Sequence, residues 1–178
     1  WTSGLNSGSL VVLAGRPGMG KTAFAGALSR AVAEQGRHVA FFSLEMPTLE
    51  LWERVVCSDA RIDSREMATA TPTAAMVGGI LESTARLSRL SVTFWDDSGL
   101  SVDDMRAALL GLQAPEPLGL VVIDHLGLVR PPPHTRGMRP DLQIGAVSLA
   151  CKALAKEFGV TVLLLSQLNR EVEKMPDK

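Results

Sequence analysis

One segment determines the architecture of this chain: Gly15-Arg16-Pro17-Gly18-Met19-Gly20-Lys21-Thr22. It matches the pattern G-x-x-x-x-G-K-[ST] at every position, and it lies between an apolar run and a helical pattern. Glycines let the backbone curl so that successive N–H groups point at phosphate oxygens, and the following helix adds the positive end of its dipole. The segment predicts a site for ATP and Mg²⁺, with Lys21 on the β- and γ-phosphates and the Thr22 hydroxyl on the metal.

Outward from this segment, five short apolar runs alternate with helical patterns. Four runs are continuously apolar, which is typical of parallel strands buried on both faces, whereas Ser91–Trp95 alternates and is predicted to be an edge strand. This order predicts an α/β fold, a three-layer P-loop NTPase domain with a mainly parallel sheet and right-handed crossovers. The five predicted strands are Leu10–Ala14, Val39–Phe42, Ser91–Trp95, Leu118–Ile123 and Val160–Leu165.

Four helices are predicted from apolar periodicity and capping signals. The first has an apolar stripe of Phe24, Ala27, Leu28, Ala31 and Val32 and stops at Gly36, and the second has Pro47 in its first turn and buries Leu51, Val55 and Trp52. The third begins at the Ser101–Asp104 capping box and runs through Leu110. The fourth has a stripe of Ile144, Val147, Cys151, Leu154, Ala155 and Phe158 and ends at Gly159.

Two segments give weaker signals. Arg61–Arg89 is rich in Ala, Ser and Thr, and the pair Gly78–Gly79 interrupts its best pattern, so short helices are predicted there. Arg130–Asp141 contains four prolines and no periodicity, which predicts a loop. No repeat or linker divides the chain, and we expect residues 1–178 to form a single domain.

Composition excludes several classes of protein. The 178 residues are 46% hydrophobic and 21% charged, as in a packed globular domain, and the net charge of −1 means that any contact with DNA must come from a local patch. Cys57 and Cys151 lack the spacing of a zinc site or disulfide framework, so core thiols in a reducing cytoplasm are expected. No apolar stretch approaches the roughly 20 residues that span a membrane. The start at Trp1 predicts a piece of a longer chain.

Polar side chains follow three of the predicted strands. Glu45 follows Val39–Phe42, Asp124 ends Leu118–Ile123, and Gln167 follows Val160–Leu165. Because ligands bind beyond the carboxyl ends of parallel strands, these groups are expected at the edge that carries the phosphate segment. Asp124 would hold Mg²⁺ and Glu45 would deprotonate the attacking water, while the Gln167 amide would bind the γ-phosphate.

Each of these residues also has a structural interpretation. Asp124 could cap the next turn, Glu45 could favour a helix N-terminus, and Gln167 could satisfy backbone groups. The cationic stretch of Arg130, His134, Arg136 and Arg139 is either a solvated loop or a contact for the phosphates of DNA.

Five motifs resemble one known family in its own order. The set resembles the RecA-type motor domain of replicative DNA helicases of the DnaB family, and Ser-Leu-Glu-Met and Ser-Gln-Leu-Asn-Arg are its most specific members. The motifs are Gly15–Thr22, Phe41–Met46, Val122–Leu126, Lys152–Glu157 and Ser166–Arg170.

The resemblance implies a ring-shaped homo-hexamer that hydrolyses ATP and moves along single-stranded DNA, unwinding the duplex ahead. It implies that Glu45 is the catalytic glutamate, Asp124 the Walker B aspartate and Gln167 the γ-phosphate sensor, with Lys21 and Thr22 on phosphate and Mg²⁺. Arg130–Asp141, with Arg130, Arg136 and Arg139, matches a loop that faces the central channel. The implied partners are primase, a helicase loader and other replisome proteins.

The chain departs from the family pattern in several places. His125 stands where the family usually has Tyr, and Pro131–Pro133 is unusual in the channel loop. The family's N-terminal domain would precede Trp1, and its main DNA-binding loop and arginine finger would follow Lys178. We therefore expect weak ATP binding and little unwinding from these residues alone.

Two alternatives stay open on the sequence. A recombinase or clock-type ATPase of the wider RecA superfamily, such as RadA or KaiC, would share the phosphate segment but lack the two specific motifs. A non-catalytic, nucleotide-gated scaffold or loader-like module has no chemical need for Lys21, Thr22, Glu45 and Asp124 together.

Overall fold

The computed structural model describes residues 4–63, 67 and 71–168. Within them, five strands form one sheet in the order β1-β5-β4-β2-β3, and every neighbouring pair is parallel. Each of the five predicted strands is present, which confirms the parallel α/β fold. The strands are β1 Leu10–Gly15, β2 His38–Ser43, β3 Val92–Trp95, β4 Leu118–Asp124 and β5 Thr161–Gln167.

Helices cover both faces of this sheet and complete the three predicted layers. Alternate residues of the central strands point to opposite faces. Phe42 and Ile123 pack with the helices Val102–Leu110 and Pro140–Phe158, whereas Phe41 and Val122 pack with the helices Lys21–Ala33 and Thr48–Ala60. The helices are α1 Lys21–Ala33, α2 Thr48–Ala60, α3 Ala74–Leu87, α4 Val102–Leu110 and α5 Pro140–Phe158, with 3₁₀ turns at Leu126–Leu128 and Pro133–Thr135.

The two outer strands differ in how far they match prediction. The edge position of β3 confirms the interpretation of its alternating pattern. The expectation that β1 is buried on both faces is wrong, because β1 also lies at an edge of the described sheet and Val12 is 51% exposed. A continuous apolar run therefore does not distinguish a central strand from an edge strand here.

Helix α1 is present as predicted, but only part of its apolar stripe faces the core, where Leu28 and Val32 pack against buried residues. Phe24 is 56% exposed, and Ala27 and Ala31 are also exposed. The buried face consists of the small residues Ala25, Gly26, Ser29 and Ala33. Small side chains permit close packing on α2, since a Cβ at Gly26 would lie 3.2 Å from Val55 Cγ2.

The prediction of short helices broken at Gly78–Gly79 is wrong for α3, which runs through both glycines. Thr73 caps the helix by accepting a hydrogen bond from the Met76 N–H at 3.2 Å. The helix packs on α2, and this packing outweighs the weak helix propensity of two glycines. Residues 64–66 and 68–70 of the same predicted segment lie outside the described residues.

Other local predictions are confirmed or shifted slightly. The Ser101–Asp104 capping box is present, and α5 ends at Gly159 in the left-handed conformation. Pro47 is the residue before α2 rather than in its first turn. The predicted loop Arg130–Asp141 includes a 3₁₀ turn and the first two residues of α5.

The two cysteines are buried free thiols, as predicted. Burial raises the pKa of Cys151 to about 12. In the described part of the chain, no helix combines the length and apolar character needed to cross a membrane.

Candidate nucleotide-binding site

The phosphate segment forms the loop between β1 and α1. Gly18 and Gly20 have φ values of +76° and +82°, a region that glycine adopts without a steric penalty. Gly20 is the N-cap of α1, and no side chain caps this helix, so its first N–H groups remain available to a ligand. The conformation is therefore that of an anion-binding loop.

A cavity of about 910 Å³ lies against this loop at the carboxyl ends of the strands. Strand register explains the convergence, since Gly15 of β1 pairs with Gln167 of β5 and Ser43 of β2 pairs with Asp124 of β4. The structure thus brings together the side chains predicted to act on nucleotide. Those lining the cavity are Lys21, Thr22, Glu45, Asp124 and Gln167.

Lys21 lies across its own loop. Its Nζ donates hydrogen bonds to the Gly15 carbonyl at 2.9 Å and to the Arg16 carbonyl at 3.0 Å. A lysine ammonium has three donors, so one remains for a ligand while these two bonds persist. These two bonds hold the Lys21 ammonium against the phosphate loop.

Asp124 is a buried carboxylate, 3% exposed, that accepts a hydrogen bond from the Thr22 hydroxyl at 2.6 Å. Burial raises the pKa of Asp124, and the charge of Glu45 adds to this effect, while the Thr22 hydrogen bond and the charge of Lys21 oppose it. A divalent cation would compensate these two carboxylates.

The donor set fits Mg²⁺. Among the described residues, no group of three or more Asp, Glu, His or Cys side chains could enclose a metal. Magnesium is commonly held by one or two protein oxygens together with substrate phosphates and water. The Thr22 hydroxyl and the Asp124 carboxylate, side by side at the phosphate loop, supply such a pair.

The turn after β2 directs Glu45 toward Asp124. The Leu44 N–H donates to the Asp124 carbonyl at 2.7 Å, and the Ser43 hydroxyl donates to the Met46 carbonyl at 2.6 Å. These bonds fix the backbone on both sides of Glu45. The Glu45 side chain remains half-exposed at the cavity, where a water molecule could reach it.

His125, which directly follows Asp124 in the sequence and could therefore be expected at the rim of the site, contacts Glu45. Its Nε2 lies 3.5 Å from Glu45 Oε2, and its Nδ1 accepts a hydrogen bond from the Gly127 N–H at 3.1 Å. The side chain is only 12% exposed. Its position directly after Asp124 was the one sequence signal that could have indicated this contact.

The far wall of the cavity holds an ion cluster that the sequence did not reveal. Asp59 of α2 contacts Arg30 of α1 and Arg86 of α3, and its side chain is 4% exposed. The three residues come from separate helices, so no spacing in the sequence could have indicated their meeting. The cluster connects the helices that flank the cavity.

The cationic loop lies apart from the residues that line the cavity. The Arg130 guanidinium donates to Asp104 Oδ2 at 2.6 Å, so its charge is neutralised by a residue distant in sequence. The backbone N–H of Arg130 donates to the Leu100 carbonyl at 2.9 Å. Arg139 pairs with Asp141 at 3.1 Å, and Arg136 is exposed. Asn169 and Arg170 of the last family motif lie outside the described residues.

Comparison with known proteins identifies similar chains. The family model described as DnaB-like helicase C terminal domain matches residues 1–178. The replicative DNA helicase DnaB of Geobacillus stearothermophilus is 35% identical over 99% of this chain and 39% of its own length. The corresponding protein of Synechocystis sp. is 36% identical over 99% of this chain and 20% of its own length.

Solved structures agree with this similarity. A structure described as a DnaB-like replicative helicase and its interactions with primase superposes with a TM-score of 0.87 at 28% identity, over 99% of this chain and 42% of that one. A second solved structure, described as an ATPase domain, superposes with a TM-score of 0.86 at 27% identity, over 99% of this chain and 63% of that one. The chain thus spans only part of the length of the proteins it matches.

Proposed function

Because this chain belongs to the DnaB-like helicase C-terminal domain family, we propose that it is the ATP-hydrolysing motor domain of a replicative DNA helicase. The observation that carries the proposal is the convergence of Lys21, Thr22, Glu45, Asp124 and Gln167 on one cavity beside the phosphate loop. A motor needs this set, because binding, metal coordination, proton transfer and detection of the γ-phosphate each require a separate group.

Each residue has a defined role in the proposal. Lys21 binds the β- and γ-phosphates. Thr22 and Asp124 would hold Mg²⁺, which would supply positive charge beside the phosphate oxygens. The Glu45 carboxylate accepts the proton of the water that attacks the γ-phosphorus. The Gln167 amide donates to the γ-phosphate and loses this contact after hydrolysis. ATP is therefore the substrate and Mg²⁺ the cofactor that this site suits.

The test is Glu45→Gln in the intact protein that contains this chain. Glutamine keeps the size of the side chain but cannot accept the proton, so we expect ATP turnover to fall by about 100-fold or more while ATP affinity changes by less than about threefold. Steady-state hydrolysis and equilibrium binding of a fluorescent ATP analogue measure the two quantities.

Glu53→Gln is the matched control, because Glu53 is an exposed residue of α2 that does not line the cavity. It should hydrolyse ATP at the wild-type rate. A nucleotide-gated scaffold gives the opposite result, since the wild-type protein would bind ATP without turnover and Glu45→Gln would change nothing.

The cationic loop is proposed to contact single-stranded DNA. Arg136 is exposed, and Arg139 is 80% exposed and pairs, within the described part of the chain, with its neighbour Asp141. Arg130 was predicted from sequence to share this role, but its pairing with Asp104 supports a part in anchoring the loop to α4. Thr135 supports the same loop from within, because it is buried and its carbonyl accepts from Gln143 Nε2 at 3.3 Å.

Family membership also supports a homo-hexamer in the intact protein, acting with primase, a helicase loader and other replisome proteins. One of the similar structures concerns interactions of a replicative helicase with primase. Analytical ultracentrifugation of the intact protein, with and without purified primase, measures both the number of subunits and the association.

A further inference from the structure

We propose that His125 is a positioning residue that holds the Glu45 carboxylate by donating a hydrogen bond from its Nε2, a role that rests on the proposed function of Glu45. The two side chains come from different strand ends, and their nearest atoms are 3.5 Å apart. This separation slightly exceeds that of an ordinary N–H···O hydrogen bond. A small rotation of the half-exposed Glu45 side chain would close it.

The hydrogen bond from the Gly127 backbone identifies which nitrogen of the His125 imidazole carries the hydrogen. The Gly127 N–H donates to His125 Nδ1 at 3.1 Å, so Nδ1 is an acceptor. In a neutral imidazole, the nitrogen that is not the acceptor carries the hydrogen. Nε2 is thus the donor, and it is the nitrogen that faces Glu45.

The two side chains differ in how firmly they are held, so His125 can restrict Glu45 rather than the reverse. The His125 ring is 12% exposed and held by Gly127, whereas the Glu45 side chain is 52% exposed. Within the described residues, no other side chain donates a hydrogen bond to Glu45. A held ring can therefore restrict the rotamers of a mobile carboxylate, and such restriction places a general base in reach of its proton.

Repulsion between two neighbouring carboxylates acts against the position of Glu45. Asp124 and Glu45 are both carboxylates, and the Glu45 charge disfavours the ionised form of Asp124. The same repulsion drives the exposed Glu45 side chain away from Asp124 and toward solvent. A donor on the residue directly after Asp124 opposes that movement without adding a third acid.

The His125 ring fits in its place because Gly127 has no side chain. A Cβ at this position would lie 3.1 Å from His125 Cε1 and 3.3 Å from Nδ1, closer than ordinary van der Waals contact. Gly127→Ala should therefore displace the ring without altering Glu45 or any residue of the phosphate loop. This substitution therefore perturbs the proposed contact by moving the His125 ring and not Glu45.

A purely structural role for His125 predicts a different pattern. His125 caps the 3₁₀ turn Leu126–Leu128 through Nδ1, and asparagine can supply an acceptor at the same place. Asparagine is too short to reach Glu45, whereas glutamine can place an amide N–H near the position of Nε2. The two substitutions therefore separate capping from positioning.

The experiment measures kcat and KM for ATP in the intact protein with His125→Asn, His125→Gln and Gly127→Ala. We expect His125→Asn and Gly127→Ala to lower kcat about tenfold with KM changed by less than about twofold, since the general base is misplaced but binding contacts remain. His125→Gln should recover most of the turnover lost in His125→Asn. The double variant His125→Asn/Gly127→Ala should be no slower than either single variant, because both act through one contact.

Several outcomes would overturn the inference. These are a wild-type kcat in His125→Asn, equal losses in the asparagine and glutamine variants, or a rise in KM without a fall in kcat. Loss of cooperative thermal unfolding in His125→Asn would also overturn it, because asparagine retains the cap.

The proposed function is judged separately by the wild-type protein and Glu45→Gln. If the wild-type protein hydrolyses ATP and Glu45→Gln does not, the motor proposal stands whatever the His125 variants show. If the wild-type protein does not hydrolyse ATP, the motor proposal fails before the His125 variants are compared.

Discussion

At the scale of single residues, His38 shows how a buried polar group can limit stability. It is 3% exposed at the start of β2, and its Nδ1 lies 2.7 Å from the Ser91 hydroxyl oxygen. Among the described residues, neither His38 Nε2 nor the buried Glu116 Oε2 has a hydrogen-bond partner. Burial lowers the pKa of His38, and the Glu116 charge opposes this effect only in part.

This direction predicts a loss of stability in mild acid. Because the pKa of His38 is lower in the folded state than in the unfolded state, the unfolded chain binds more protons below the ordinary histidine pKa of about 6.5. The free energy of unfolding should therefore decrease as the pH falls through and below that value. Urea unfolding at about pH 7.5 and about pH 5.5 measures the decrease on either side of it.

Two variants check the assignment to His38. His38→Asn can keep a hydrogen bond to Ser91 without a titrating group. Its free energy of unfolding should therefore decrease less between the two pH values than that of the wild type. Glu116→Gln removes the charge that favours the imidazolium, so its decrease should be larger. Equal decreases in all three proteins would show that His38 is not responsible.

Residue positions could be predicted where they depend on local pattern. The spacing of the phosphate segment specified Lys21 and Thr22, and strand order placed Asp124 beside them, as the 2.6 Å bond to Thr22 shows. The place of His125 directly after Asp124 indicated that it lies near the site, but its orientation toward Glu45 depends on the turn that presents Gly127 to Nδ1. No residue spacing encodes that geometry.

At the scale of elements, Asp59 joins three helices around one buried carboxylate. Burial alone would raise the pKa of Asp59, but hydrogen bonds from Ser83 and Arg86 and the charges of Arg86 and Arg30 lower it below its ordinary value. Because the folded-state pKa is lowered, the ionised carboxylate stabilises the fold at neutral pH. That contribution is lost as the pH falls through the folded-state pKa.

Asp59→Asn should therefore lower the free energy of unfolding by about 2 kcal/mol near neutral pH, a value typical of a lost hydrogen bond to a charged group. The difference from wild type should shrink in acid, where the wild-type carboxylate is protonated as well. Urea unfolding measures both effects, with Asp97→Asn as an exposed control. Equal stability of Asp59→Asn and wild type near neutral pH would contradict this account.

Elements were predictable when hydrophobic pattern determined them and unpredictable when packing did. The strands and the capping box at Ser101 follow directly from the residues present. The path of α3 through Gly78 and Gly79 does not, because packing on α2 compensates for weak propensity. The buried face of α1 was missed for the same reason, since its glycine and alanines pack closely while Phe24 is exposed.

At the scale of the whole molecule, the net charge of −1 provides no general attraction for DNA. Contact must therefore depend on local cations, and Arg136 is an exposed one in the loop before α5. The architecture could be predicted because five apolar runs and one phosphate segment admit few topologies. The exposure of β1 could not, because an edge strand and a central strand have the same apolar composition here.

Arg136→Gln in the intact protein should weaken binding to single-stranded DNA and reduce the dependence of affinity on salt by about one phosphate contact. Fluorescence anisotropy with labelled oligonucleotides at several salt concentrations measures both. Arg89→Gln, an exposed substitution just after α3, is the control of equal charge. An unchanged salt dependence in Arg136→Gln would show that this loop does not contact DNA.

The Gly15 carbonyl accepts from Lys21 Nζ at 2.9 Å and from the N–H of Leu168, directly after β5, at 3.2 Å. This one oxygen therefore bonds both the Lys21 ammonium and the residue that follows Gln167, the last residue of β5. If a bound phosphate were to draw the ammonium away, the Gly15 carbonyl would lose one of its two donors. A change at the loop would then reach the strand end that carries Gln167 through two hydrogen bonds.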